Sequence, residues 1–181
     1  MDQTPPVSSM HRAKHPRSLV SGLYGHPVHP ILVTIPIGAW TSSLVFDLAA
    51  RLGDRPAAFA TGSTWLIGIG LVGALAAAVF GAIDLSTIDR GTRAFTTGLT
   101  HMAINVVVVL LYAVNFGVRR SQGYDDVSTT ALVLSVVALA LLGASGWLGG
   151  KLSYRYGVRV ADEGTQAEGF VSSAAASRRP R

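Results

Sequence analysis

Apolar residues run in four long blocks along the chain, with short polar segments between them. The blocks cover about 31–50, 62–84, 98–117 and 130–150. Each holds about the 20 helical residues that a bilayer crossing needs. The short connections make neighbouring helices antiparallel. The pattern therefore predicts an all-α fold, a four-helix transmembrane bundle within a membrane domain at 23–160. The segments 1–22 and 161–181 are rich in Ser, Pro, Arg and Ala and lack periodicity, so both read as disordered tails. The first block reads as a retained span rather than a cleaved signal. Pro36 lies in its middle, Asp47 stands where a cleavage region would fall, and three more spans follow.

Within the blocks the few polar residues fall on selected faces. An α-helix turns about 100° per residue, so steps of three and four residues stay on one face. From His101 such steps reach Asn105, Val108, Tyr112, Asn115 and Arg119, a polar stripe through the third span. From His29 they reach Val33, Pro36, Trp40, Ser43 and Asp47, a weaker stripe that Pro36 is expected to kink. The second span instead aligns Asp84, Phe80, Ala77, Gly73, Gly70 and Leu66. The fourth carries Ala140 with Ala144 and Gly146 with Gly150. Small residues let membrane helices approach closely, so spans two and four read as packing helices. Spans one and three carry the candidate chemistry.

Composition narrows the possible chemistry. The chain is 49% hydrophobic and 14% charged, with a net charge of +5 and no cysteine. Disulfides, thiolate metal sites and cysteine-held iron–sulfur clusters are excluded within the chain, which leaves histidine as the softest ligand. The cations flank apolar blocks instead of forming a patch, so no nucleic-acid partner is expected. Arg12, Lys14, Arg17, Arg90, Arg93, Lys151, Arg155 and Arg159 fall on one side of the spans. Arg51, Arg55, Arg119 and Arg120 fall on the other. This bias puts both termini in the cytoplasm, with the protein multi-pass in its membrane.

That topology gathers His26, His29, Asp84 and His101 at the cytoplasmic end. The prolines of "HPVHP" at 26–30 keep both preceding histidines extended, and Pro30 suits a first helical turn. Rigid placement suits a ligand site, so the four residues form a candidate metal or haem site. The plainer alternative is that His29 caps the helix and His26 is solvated. His11 and His15 fall in the tail and receive no role. At the far end Asp47, Asn115 and Arg119 come together, either as a structural ion pair or as part of a proton relay with Asn105 and Tyr112. Arg51, one turn from Asp47, is an alternative partner. "KLSYRYGVRV" at 151–160 alternates apolar and polar residues, which predicts an extended segment across the cytoplasmic end.

"HPVHPILVTIPIGAW", Asp47, "GAIDL", His101 with Asn105, and "GWLGGKLSYRYGVRV" together resemble the bacterial membrane proteins of domain-of-unknown-function family 2231. The resemblance runs from about His26 to Val160. It implies a four-helix integral protein, multi-pass in the bacterial inner (plasma) membrane, and points to His29, Asp47, Asp84 and His101. Some members are joined to a Rieske-type iron–sulfur domain, which suggests redox work with a cytoplasmic partner. Relatives often carry Tyr-x-His-Gly after the fourth span, where this chain has Tyr154-Arg155-Tyr156-Gly157.

Two functions follow as expectations. The first is a redox or electron-transfer module holding haem b or a divalent metal through His101 with His29 or His26. The second is a cofactor-free membrane scaffold or a small proton-path subunit, alone or as a homo-oligomer in the bilayer. No nucleophile–base pair or nucleotide motif is present, so a standalone enzyme with catalytic residues is not expected.

Overall fold

The computed structural model describes residues 7–171. A short helix α1 (Val7–Lys14) leads into a tight hairpin of two-residue strands, β1 (Gly22–Leu23) and β2 (His26–Pro27). Four spanning helices follow, α2 (Val28–Leu52), α3 (Pro56–Leu85), α4 (Arg93–Gln122) and α5 (Thr129–Arg155). A one-turn helix, α6 (Glu163–Ala167), lies beyond them. The four long apolar helices expected from the hydropathy pattern are present, each extended by several residues at its ends.

Local sequence explains the boundaries. Pro36 has no N–H to give Leu32, and the helical run of α2 breaks nearby at Val33. Pro56 occupies the first turn of α3, where a missing N–H is harmless. Thr92 caps α4 by accepting from Phe95 N, and Ser128 caps α5 by accepting from Ala131 N.

The chain packs as two hairpins, α2 with α3 and α4 with α5, which meet along a seam. Trp40, Ile67, Val108, Tyr112 and Ala138 form the centre of the seam. Small residues permit the close approach within the first hairpin. A Cβ on Gly70 would lie 2.2 Å from Trp40 Nε1. The outward faces are apolar, with Val45, Val72, Leu75, Val106, Leu110 and Val133 all exposed. Such a belt would be costly in water and is the expected face towards lipid.

Two expectations need correction. Residues 151–155 are not extended, because α5 continues through a π-helical turn at Lys151–Arg155 before the chain bends at Tyr156. The alternation is therefore not a strand pattern. Tyr154 is 92% exposed, whereas Arg159, expected on the polar face, is buried. The segments read as disordered also carry structure in their described parts, 7–22 and 161–171; the remaining residues, 1–6 and 172–181, lie outside the described chain. Ala13 of α1 packs with Ile88 and Val158, an apolar cluster too small to show as periodicity.

Candidate functional site

The polar residues of the seam lie at three levels. At the end opposite the termini, Asp47 and Arg119 form a bidentate ion pair. Arg119 Nη1 donates to Asp47 Oδ1 at 2.8 Å and Nη2 donates to Oδ2 at 2.7 Å. Ser63 donates to Asp47 Oδ1 at 2.5 Å while accepting from Arg119 Nη1 at 3.2 Å. Arg119 Nε donates to Asn115 Oδ1 at 2.8 Å. Asn115 Nδ2 donates in turn to Ala131 O at 3.0 Å and Ser135 Oγ at 2.9 Å. Ser135 completes the circuit by donating to Asp47 Oδ2 at 3.3 Å. All four spans contribute, and Asp47, Ser63, Asn115 and Ser135 are fully buried. A buried ion pair is tolerable when the remaining donors and acceptors are met, as they are here. Arg51 is not an alternative partner, because it donates to Val127 O at 3.0 Å and Thr129 Oγ1 at 2.9 Å.

At mid-depth the Trp40 and Tyr112 rings stack at 4.1 Å with 12° between planes. Trp40 Nε1 donates to Ile67 O at 3.3 Å. The Tyr112 hydroxyl is buried and has no hydrogen-bond partner among the described residues. Val108 continues the stripe as an apolar break between Tyr112 and Asn105.

At the terminal end the candidate histidines separate into different settings. His29 Nδ1 lies 2.9 Å from Ala77 O, across the first hairpin. His101 Nδ1 lies 2.8 Å from Ser145 O, across the second. A carbonyl only accepts, so both Nδ1 atoms carry the proton and Nε2 is the lone-pair nitrogen on each neutral ring. Asn105 Nδ2 lies 3.1 Å from His101 Nε2, consistent with that tautomer. Each ring also rests on a glycine. A Cβ on Gly81 would come within 2.9 Å of His29, and one on Gly149 within 3.3 Å of His101.

His26 and Asp84 do not join them in one ligand set. His26 is exposed, with Nδ1 3.4 Å from Tyr24 O. Asp84 pairs with Arg159, Oδ1 to Nε at 3.0 Å, as an ion pair without an aligned hydrogen bond. Arg159 sits in the left-handed region at φ 59°, its N–H held by Ala13 O at 2.9 Å and its Nη2 by Ser21 O at 2.8 Å. Among the described residues no three His, Asp or Glu side chains form a metal-ligand group. The expected four-residue cluster is thus corrected to two imidazoles. Asp84 has a fixed cation, and the HPVHP elbow turns His26 outward.

Sequence reasoning missed Ser63, Ser135, Ser145 and Arg159. The serines had a usable signal. Ser63 extends the Asp84–Ala77–Gly73–Gly70 face by further helical steps. Ser135, Ala138 and Ser145 share one face of α5 and are all buried. Arg159 had no such signal, because its placement depends on a turn and on α1.

Four apolar spanning helices around a polar seam define an integral membrane protein. The chain belongs to the family described as "Predicted membrane protein (DUF2231)", whose model matches residues 25–162. No curated protein and no solved structure matches it.

Proposed function

We propose that the seam's terminal end is a two-imidazole cofactor site and that the protein is a membrane redox module. The observation that carries this reading is the matched anchoring of His29 and His101. Each Nδ1–H is held by a backbone carbonyl of the neighbouring helix, at 2.9 and 2.8 Å, which orients Nε2 for coordination. Histidines that ligate metals generally have their second nitrogen fixed in this way. One ring comes from each hairpin. Two imidazoles would suffice to hold a haem b, whereas a bare divalent ion generally takes three or more protein ligands.

His29 and His101 would hold the haem, whose iron would supply a one-electron couple. Asn105 would have to turn from His101 Nε2 on loading. Gly81 and Gly149, lacking side chains, let the two rings pack directly against the neighbouring helices. With the termini in the cytoplasm, electrons would pass to or from a cytoplasmic protein, a Rieske-type partner being the family analogy. The test is the haem content of protein purified from membranes. His29→Ala and His101→Ala should each lose haem, while His26→Ala retains it. Full haem content in His101→Ala would refute the assignment.

A second reading is favoured by the Asp47–Arg119 network. Its closed pairing across four helices suits a cofactor-free scaffold in which Asp47, Asn115 and Arg119 lock the hairpins together. The apolar break at Val108 argues against a continuous proton path through Tyr112 to Asn105. Protein that carries no chromophore, yet loses stability when Asp47 or Arg119 is replaced, would favour this reading.

A further inference from the structure

The chain between α1 and α2 has its polarity inverted. A single 3₁₀ turn covers Leu19–Ser21, and the hairpin of β1 and β2 follows. Ser21, the polar residue of the turn, is buried, whereas Leu19 is 80% exposed, Val20 70% and Leu23 61%. Large apolar side chains cluster on the outside of this segment, and a polar one lies within.

Local bonding fixes that sense. Ser21 N and Oγ both donate to Ser18 O, at 3.2 and 2.8 Å. Ser21 O accepts from the buried Arg159 Nη2 at 2.8 Å, which holds its side of the turn inward. Gly22 then turns the chain at φ 101°, where a Cβ would lie 2.2 Å from His26 O.

The exposed side chains lie at the edge of the lipid-facing belt. The 3₁₀ turn packs on α3, and Arg17 Nη1 donates to Ser86 Oγ at 3.0 Å, at the end of that span. Exposed apolar residues resume at Val79 of α3 and at Ile31 and Ile35 of α2, the two spans that the segment adjoins. Arg17 is itself exposed, and a guanidinium has more N–H donors than the one given to Ser86. A cation beside outward apolar residues at the end of a span can meet headgroup phosphate while its neighbours meet acyl chains.

We infer that the segment 17–23 is an interfacial foot that docks on the phospholipid leaflet at the terminal end of the bundle. Leu19, Val20 and Leu23 take the acyl chains, and Arg17 takes a headgroup phosphate. Water would leave the three apolar side chains solvated at a cost, whereas the leaflet makes them an extension of the belt. The docked foot also fixes Ser21, so lipid contact steadies the Arg159–Asp84 pair behind it.

The test is site-directed spin labelling of the full-length protein in vesicles of phosphatidylcholine and phosphatidylglycerol. The chain has no cysteine, so each introduced one is labelled alone. Leu19→Cys and Val20→Cys replace exposed side chains and leave the core intact. Val72→Cys, on the outward face of α3, is the reference for lipid, and Glu168→Cys, exposed beyond α6, is the reference for water. Labels at 19 and 20 should be reached by oxygen and shielded from a water-soluble, fully chelated nickel complex, as at 72. Their oxygen-to-nickel accessibility ratio should be severalfold above that at 168. Arg17→Glu, which sets a carboxylate against the phosphates, should shift the label at 19 towards water. Nickel accessibility at 19 and 20 equal to that at 168 would overturn the foot, and an unchanged depth in Arg17→Glu would overturn the role of Arg17. Neither readout depends on whether His29 and His101 hold a haem.

Discussion

Arg119 meets Asp47 through two parallel hydrogen bonds, 2.8 and 2.7 Å, across the seam between the two hairpins. Removal of either partner leaves the other charge buried without compensation. Asp47→Asn and Arg119→Met should each destabilise the protein by about 3–5 kcal/mol. Asp47→Asn combined with Arg119→Met should cost clearly less than the two single losses together. Thermal unfolding in detergent, arranged as a double-mutant cycle, measures the coupling; strict additivity would contradict it.

The Tyr112 hydroxyl should be a liability. It is buried against Trp40 with no partner among the described residues, and an unmet buried polar group costs about 1–3 kcal/mol. Tyr112→Phe keeps the stacked ring and should raise the unfolding temperature. A fall in stability would mean that the hydroxyl is bonded, for example to an internal water.

Close packing within the first hairpin is tested at a single carbon atom. Gly70→Ala would place a methyl within 2.2 Å of the Trp40 indole nitrogen, so the helices must shift. The expected cost is about 1–3 kcal/mol, the usual range for overpacking. Gly143→Ala, where a Cβ meets nothing within 4 Å, serves as the control and should not destabilise the protein.

Asp162 gives the clearest pH dependence. Hydrogen bonds from the Tyr24 hydroxyl and from Thr165 N hold its pKa near about 2, below the ordinary 3.8. A depressed carboxylate stabilises the folded form above the ordinary value. Its contribution is lost as pH falls from 3.8 towards about 2. The Tyr24–Asp162 contact should therefore hold at neutral pH and open only in that acid window. Tyr24→Phe should move the Asp162 titration, followed by carboxyl NMR, upward towards 3.8; an unchanged titration would show that Tyr24 does not hold it.

The parts of this arrangement that repeat along a helix were legible in the sequence. Hydropathy gave the four spans, and steps of three and four residues placed Trp40, Ser43 and Asp47 on the buried face of α2. The same steps placed Val108, Tyr112, Asn115 and Arg119 on the buried face of α4. Contacts made by turns were not legible. Arg159 reaches Asp84 only because the chain adopts a left-handed residue after a π turn and packs on α1. The period-two alternation at 151–160 pointed the wrong way for the same reason: a helix followed by a bend can mimic a strand pattern over so short a run. His26 and His29, three residues apart, separated because only the second lies inside α2 far enough to reach Ala77.

The proposed role of His29 and His101 is to hold a redox cofactor. Its most direct test is the optical spectrum of protein purified from membranes, recorded oxidised and then reduced with dithionite. A Soret band that shifts on reduction, absent from both His29→Ala and His101→Ala, is the predicted result. A featureless spectrum from fully folded wild-type protein that remains featureless after incubation with haem and removal of the unbound haem would contradict it.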